Sequence, residues 1–87
     1  MSTADALRVV ALAAQAEIAL VRRDDVAGAL LAQAARAADG MPAGAVLGEA
    51  ARVLRAGPGR EAVRQVALSL CRMGLHEAQA DVLGGGA

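Results

Sequence analysis

Alanine dominates this chain: 24 of its 87 residues are Ala, and it contains no Phe, Tyr or Trp. Alanine is the strongest helix former, whereas strands are rich in β-branched and aromatic residues. The 11 Leu and 9 Val supply apolar surface for a core, and the zero net charge does not favour disorder. The composition therefore predicts an all-α fold, and the length predicts one helical domain over residues 1–87.

Apolar spacing and turn residues divide the chain into five predicted helices. Ser2 and Asp5 have the pattern of a capping box, while Gly40 followed by Pro42 is typical of one helix ending and another beginning. Gly74 predicts a further break. The predicted helices cover about residues 3–22, 25–38, 43–56, 60–73 and 75–83, with residues 84–87 as a flexible tail. Because the connections are short, they predict two antiparallel helical hairpins plus a short capping helix.

The first predicted helix carries a continuous apolar stripe. Its members recur at steps of three and four residues and are Leu7, Ala11, Ala14, Ile18 and Val21. One helix cannot show which of its stripes faces inward. Ile18 and Val21 are therefore interpreted in two ways, as core residues or as a surface for a partner.

The charges and the single cysteine limit the cellular compartment and the classes of partner that are expected for this protein. Nine Arg balance five Asp and four Glu, so no net field attracts nucleic acid or an anionic membrane. The longest uncharged run, residues 26–35, is shorter than the roughly 18 to 20 residues that a spanning helix needs. Cys71 has no second cysteine to pair with, which favours a reducing compartment. We predict a cytoplasmic protein that binds neither membranes nor nucleic acid.

Catalytic and metal chemistry find little support in the residue types. Cys71 and His76 are the one pair of nucleophile and base close in sequence, and they straddle Gly74, where their side chains are expected to diverge. One Cys and one His cannot supply the four ligands of a zinc site. Asp24 and Asp25 lie between two helical patterns, where helix capping explains them. We predict no enzyme activity, no catalytic residues, no metal and no cofactor.

A weak internal repeat appears when the turn at Asp24 is laid over the turn at Pro58, 34 residues on. The segment IALVRRDDVAGAL, residues 18–30, resembles the end of the first helix, the tight turn and the second-helix start of a tetratricopeptide repeat. Residues 52–63 resemble a weaker second copy, and residues 75–83 the capping helix of a short array. The resemblance implies a superhelical, tetratricopeptide-repeat-like arrangement.

A narrower resemblance lies in the second half of the chain. The segment VALSLCRMGLHEAQADVL, residues 66–83, is similar to a hairpin of the small repeat-containing co-chaperones of bacterial type III secretion needles. That resemblance implies a non-catalytic chaperone or co-chaperone in the cytoplasm. Its partner would be an amphipathic helix of a secreted, needle-like protein, held beside a second small helical chaperone.

The repeat resemblance also implies which residues bind the partner, because the first helix of each hairpin lines the concave side in that family. The protein-binding residues are then Ala14, Ile18 and Val21 from the first helix and Gly48, Arg52 and Arg55 from the third. Apolar groups with arginines at one edge suit an amphipathic helix that carries acidic residues.

Two other classes of function remain open. A helix-turn-helix DNA-binding protein would place Arg60, Arg64 and Arg72 in a major groove, although the neutral net charge and the Glu61–Arg64 spacing disfavour it. A structural homodimer would instead pair the alanine-rich faces of two copies. DNA retention that depends on salt would indicate the first class, and helix content that depends on concentration would indicate the second.

Overall fold

The computed structural model describes residues 2–84 of the chain and contains four helices in that range. These are α1 (Thr3–Val21), α2 (Ala27–Ala37), α3 (Pro42–Ala56) and α4 (Glu61–Gly84). No strand occurs among the described residues, so the predicted all-α class is confirmed.

Helices α1 and α3 begin where their capping residues predict. The hydroxyl of Ser2 accepts the backbone N–H of Asp5 at 3.2 Å and donates to the Asp5 carboxylate at 2.9 Å. Pro42 lies in the first turn of α3, where its missing N–H costs no helical hydrogen bond. Gly40, between α2 and α3, has φ of +82°, a left-handed conformation that favours glycine.

Helix α2 begins at Ala27 rather than at residue 25, because the preceding aspartate closes a turn of its own. Asp24 Oδ1 accepts the N–H of Val26 at 3.1 Å, so it stabilises the loop instead of capping the helix. Val26 occupies the N-cap position, and no side chain caps the first turn of α2.

The predicted break at Gly74 is wrong, and the capping helix is not a separate element. Helix α4 runs without interruption from Glu61 to Gly84. Gly74 is buried and faces α3, where a Cβ on it would lie 2.6 Å from Leu47 Cγ. The glycine therefore permits a close approach of two helices rather than ending one. Gly84, the first residue of the predicted tail, is helical and is the last described residue of α4, and residues 85–87 lie outside the described residues.

The four helices form a ring in which α1 packs on α2, α2 on α3, α3 on α4, and α4 back on α1. Cys71 lies beside Ala13 and Arg64 beside Leu20, so α4 and α1 run antiparallel. Because the ring is closed, α1 and α3 lie diagonally across the bundle. Its principal extents are 41 × 20 × 17 Å.

The core of the described residues is built mainly of alanine, which accounts for 12 of the 19 buried apolar residues. The largest fully buried side chains are Leu20, Leu31, Leu47, Val9 and Cys71. Small side chains at the contacts shorten the distance between helix axes. They also contribute little apolar area each, so the core is thin for a chain of this length.

Candidate functional site

Helix α1 carries two apolar rows, and the structure buries only one of them. The inner row is Ala6, Val9, Ala13, Ala16 and Leu20, all at most 1% exposed. The outer row coincides with the stripe found in the sequence. Three of its large side chains are half exposed: Leu7 at 52%, Ile18 at 51% and Val21 at 49%. The outer row of α1, defined here as Leu7, Ala11, Ala14, Ile18 and Val21, is therefore an apolar surface and not core.

Charged side chains flank the outer row. At 100° per residue, Arg8 and Arg22 fall on one flank of the row, and both are exposed. Glu17 falls on the other flank, where its carboxylate accepts a hydrogen bond from Arg72 Nε of α4 at 2.7 Å. Since that ion pair is neutral, the net charge beside the row comes from Arg8 and Arg22 and is positive.

The predicted binding residues of α1 lie together in the structure. Ile18 and Val21 are both exposed, and Ala14 is half-buried between the large residues of the row. Ile18 and Val21 are therefore surface residues, and the interpretation of them as core is wrong.

The predicted binding residues of α3 lie elsewhere. Gly48 faces α2, since a Cβ on it would lie 3.9 Å from Ala35 Cβ. Arg52 is exposed and forms an ion pair with Glu49 on its own helix. Arg55 lines a cavity at one end of the bundle. Because α1 and α3 are diagonal, the structure does not bring these residues together with the outer row of α1.

A half-open cavity of about 650 Å³ lies at the end of the bundle where the α1–α2 and α3–α4 loops meet. We call it the loop-end cavity. Its apolar walls come mainly from α2 and α3, and its rim is charged. The lining residues are Leu20, Arg23, Asp24, Asp25, Ala27, Gly28, Ala29, Ala32, Ala51, Leu54, Arg55, Pro58, Gly59, Arg60, Glu61 and Arg64.

A hydrogen-bonded network forms one side of the loop-end cavity. Arg64 donates at 2.7 Å to the Leu20 carbonyl, which lies in the last turn of α1 and also accepts the backbone N–H of Arg23 at 3.2 Å. Its guanidinium also binds Glu61, which accepts from Gln65 at 3.0 Å and pairs with Arg23 at 3.4 Å. The hydrogen bond from Arg64, with that from Gln65, lowers the pKa of Glu61 to about 2.

The residues considered for catalysis are not arranged as a reactive pair. Cys71 is fully buried, and its thiol lies 3.4 Å from the Ala13 carbonyl. Burial raises the pKa of this thiol to about 11, which keeps it protonated and unreactive. His76 is exposed on the same helix. Within residues 2–84, no three His, Cys, Asp or Glu side chains come together as a set that could hold a metal ion.

The three arginines of the DNA-binding alternative do not form a row. Arg64 is only 13% exposed and is held by its contacts with Leu20 and Glu61. Arg72 is bound to Glu17, whereas Arg60 lies in the rim of the loop-end cavity. A reader of base edges needs arginines that extend from one helix into the groove.

The loop-end cavity is a feature that sequence reasoning missed. Its lining comes from two loops and all four helices, so its residues lie far apart along the chain. Two clusters of charge beside predicted turns, at residues 22–25 and 60–64, are the signal that the sequence offered.

No family model, curated protein or solved structure matches the chain. None of the helices among residues 2–84 combines the length and the apolar character that crossing a membrane requires.

Proposed function

We propose that this chain is a non-catalytic protein-binding module, a cytoplasmic chaperone or co-chaperone that shields an amphipathic helix of a secreted, needle-like protein. The observation that carries the proposal is the outer row of α1. Its residues Leu7, Ile18 and Val21 remain half exposed, although the inner row of the same helix is fully buried and already forms the core. Large apolar side chains gathered on one helix face, rather than scattered singly, mark interaction sites.

The side chains of the outer row are large at the two ends and small in the middle, an arrangement that suits the docking of a helix. Leu7 lies at one end and Ile18 and Val21 at the other, with Ala11 and Ala14 between them. The small side chains in the middle let another backbone approach closely. Covering the exposed half of the three large side chains would contribute about 1 kcal/mol each, or about 3 kcal/mol together.

The charges beside the row indicate the chemistry of the partner. Arg8 and Arg22 lie on the same flank and are 14 residues apart, which is close to four helical turns. A partner helix with acidic residues along one flank would place them near both guanidinium groups. An amphipathic helix with an apolar stripe and an acidic edge therefore fits this surface best.

The repeat-like arrangement of the hairpins is part of this proposal, with one modification. In the repeat family a groove forms between the first helices of successive hairpins, which here are α1 and α3. Helix α1 also packs on α4, a contact that an open array of repeats does not need. We therefore place the partner on the outer row of α1 rather than between α1 and α3.

Co-expression with candidate partner proteins encoded by neighbouring genes tests the proposal. We expect one of them to co-purify as a complex of defined mass by size exclusion with light scattering. The proposal fails if none co-purifies and the chain alone is a monomer of high thermal stability. DNA retention that decreases with salt, or helix content that rises with concentration, would support the two other classes instead.

A further inference from the structure

The loop-end cavity exists because its walls are made of small residues. Its lining includes Ala27, Gly28 and Ala32 of α2 and Ala51 and Leu54 of α3. At Gly28 a Cβ would meet only Leu54 Cδ2, at 3.9 Å, an ordinary van der Waals distance, so a methyl group fits there. Apolar side chains that line an empty cavity lose van der Waals contacts on that side. A ligand that fills the cavity would restore those contacts and so stabilise the thin core.

The residues of the walls determine which class of ligand the cavity can bind. Its volume of about 650 Å³ is within the range of roughly 300 to 1,000 Å³ that is typical of small-molecule sites. The apolar lining consists of Ala and Leu, and the chain has no aromatic residue on which a planar ring would stack. A flexible aliphatic chain suits such walls best.

The rim determines the charge of the head group. Arg23 and Arg64 share the single carboxylate of Glu61, and Arg55 and Arg60 form no ion pair within the described part of the chain. Together with Asp24 and Asp25, the rim therefore has four guanidinium groups and three carboxylates, a net charge of +1.

The two aspartates of the rim lie in the α1–α2 loop beside Arg23. Asp24 accepts the N–H of Val26, and both aspartates lie just before the first turn of α2. Arg55 and Arg60 are the rim arginines without an ion pair in residues 2–84, so they are the groups that an anionic head can bind.

We propose that the loop-end cavity binds a single-chain aliphatic carboxylate. Its chain packs against Ala32 and Leu54, which line the cavity and are partly exposed, and its carboxylate lies between the guanidinium groups of Arg55 and Arg60. This site is separate from the outer row of α1, so it does not depend on the proposed partner helix.

Isothermal titration of the full chain with three probes of equal chain length tests the head-group charge. Decanoate, decylammonium and decanol are titrated below the concentrations at which they form micelles. We expect saturable binding of one decanoate per chain, and binding of the other two at least about tenfold weaker. Binding that is equal for all three probes, or no saturable binding of decanoate, would overturn the proposal.

Substitutions in the same chain locate the binding. Replacing both Arg55 and Arg60 with Gln should weaken decanoate binding about fivefold or more, because two exposed charge contacts are lost. Arg36→Gln is the matched control, since Arg36 is exposed in the last turn of α2 outside the cavity. An equal loss in the control and in the double variant would contradict the site.

A substitution that fills the cavity distinguishes binding inside it from binding elsewhere on the surface. Ala32→Leu should abolish decanoate binding while the helical circular dichroism signal is retained. If that variant does not fold, Ala29→Leu serves the same purpose, because Ala29 lines the cavity and is exposed at its mouth. Unchanged affinity in a folded cavity-filling variant would show that decanoate binds elsewhere and would overturn the proposal.

Discussion

Gly74 of α4 and Leu47 of α3 are packed so closely that no methyl group fits between them. A Cβ built on Gly74 would lie 2.6 Å from both Cγ and Cδ2 of Leu47, whose side chain is fully buried. Leu47 cannot move away without disturbing the core, so the glycine sets the separation of α3 and α4.

Gly74→Ala should therefore lower the free energy of unfolding, although alanine is the better helix former. Overpacking a core costs about 1 to 3 kcal/mol, and the gain in helix propensity returns about 1 kcal/mol. We expect a net loss of about 1 kcal/mol, measured by urea unfolding followed by circular dichroism.

Gly28→Ala is the matched control for that substitution. Its Cβ would meet only Leu54 Cδ2 at 3.9 Å, so the gain in helix propensity should stabilise the chain by up to about 1 kcal/mol. In a Leu47→Ala background, Gly74→Ala should no longer destabilise. A stabilising Gly74→Ala in the parent chain would contradict the close contact.

The lowered pKa of Glu61 should make the stability of the fold depend on pH in a specific range. The hydrogen bond from Arg64, with that from Gln65, lowers the pKa of Glu61 from its ordinary 4.5 to about 2 in the folded chain. The unfolded chain thus binds the proton more readily, so this contribution is complete above about pH 4.5 and is lost as the pH falls to about 2. Glu61→Gln should flatten this part of the profile of melting temperature against pH. A parallel profile in the variant would argue against the network.

Cys71 should be inert in the folded protein. It is buried, and burial raises the pKa of its thiol to about 11, so very little thiolate is present at pH 8. We expect no reaction with a thiol reagent at pH 8 until the chain is unfolded in urea. Met73→Cys, combined with Cys71→Ala, supplies an exposed control thiol that should react at once, because Met73 is 55% exposed. Equally fast reaction of Cys71 would mean that α1 and α4 separate readily.

Truncating a side chain in the inner row of α1 should lower the free energy of unfolding much more than truncating one in the outer row. Leu20→Ala removes a side chain that is 1% exposed and should cost about 2 to 5 kcal/mol in the free energy of unfolding. Ile18→Ala removes one that is 51% exposed and should cost about 0.5 kcal/mol. Comparable losses in urea unfolding would place Ile18 in the core.

Much of the helical framework follows from local sequence signals. Ser2, Pro42 and Gly40 act through their own backbone or through residues three positions away, so their effects can be read without tertiary structure. Gly74 could not be interpreted in this way, because its role depends on Leu47, which lies 27 residues earlier in the chain.

The outer row shows a second limit of sequence reasoning. Alanine is so frequent in α1 that rows beginning at Ala6 and at Leu7 both satisfy helical periodicity. Only packing against α2 and α4 decides between them, and it buries the row that contains Leu20. The row with Ile18 and Val21 was predicted as a binding surface from the repeat resemblance, whereas the separate position of Arg55 became visible only with the closed ring.

A pair of variants in the co-expression experiment tests the proposed role of the outer row most directly. Ile18→Asp places a charge in the outer row, and Val66→Asp places the same charge at a residue of similar exposure on α4, 49% against 51%. If the outer row of α1 binds an amphipathic helix, the partner should co-purify with the Val66→Asp chain and be lost from the Ile18→Asp chain, with both chains remaining helical. Retention of the partner by Ile18→Asp, or equal loss from both variants, would contradict the account.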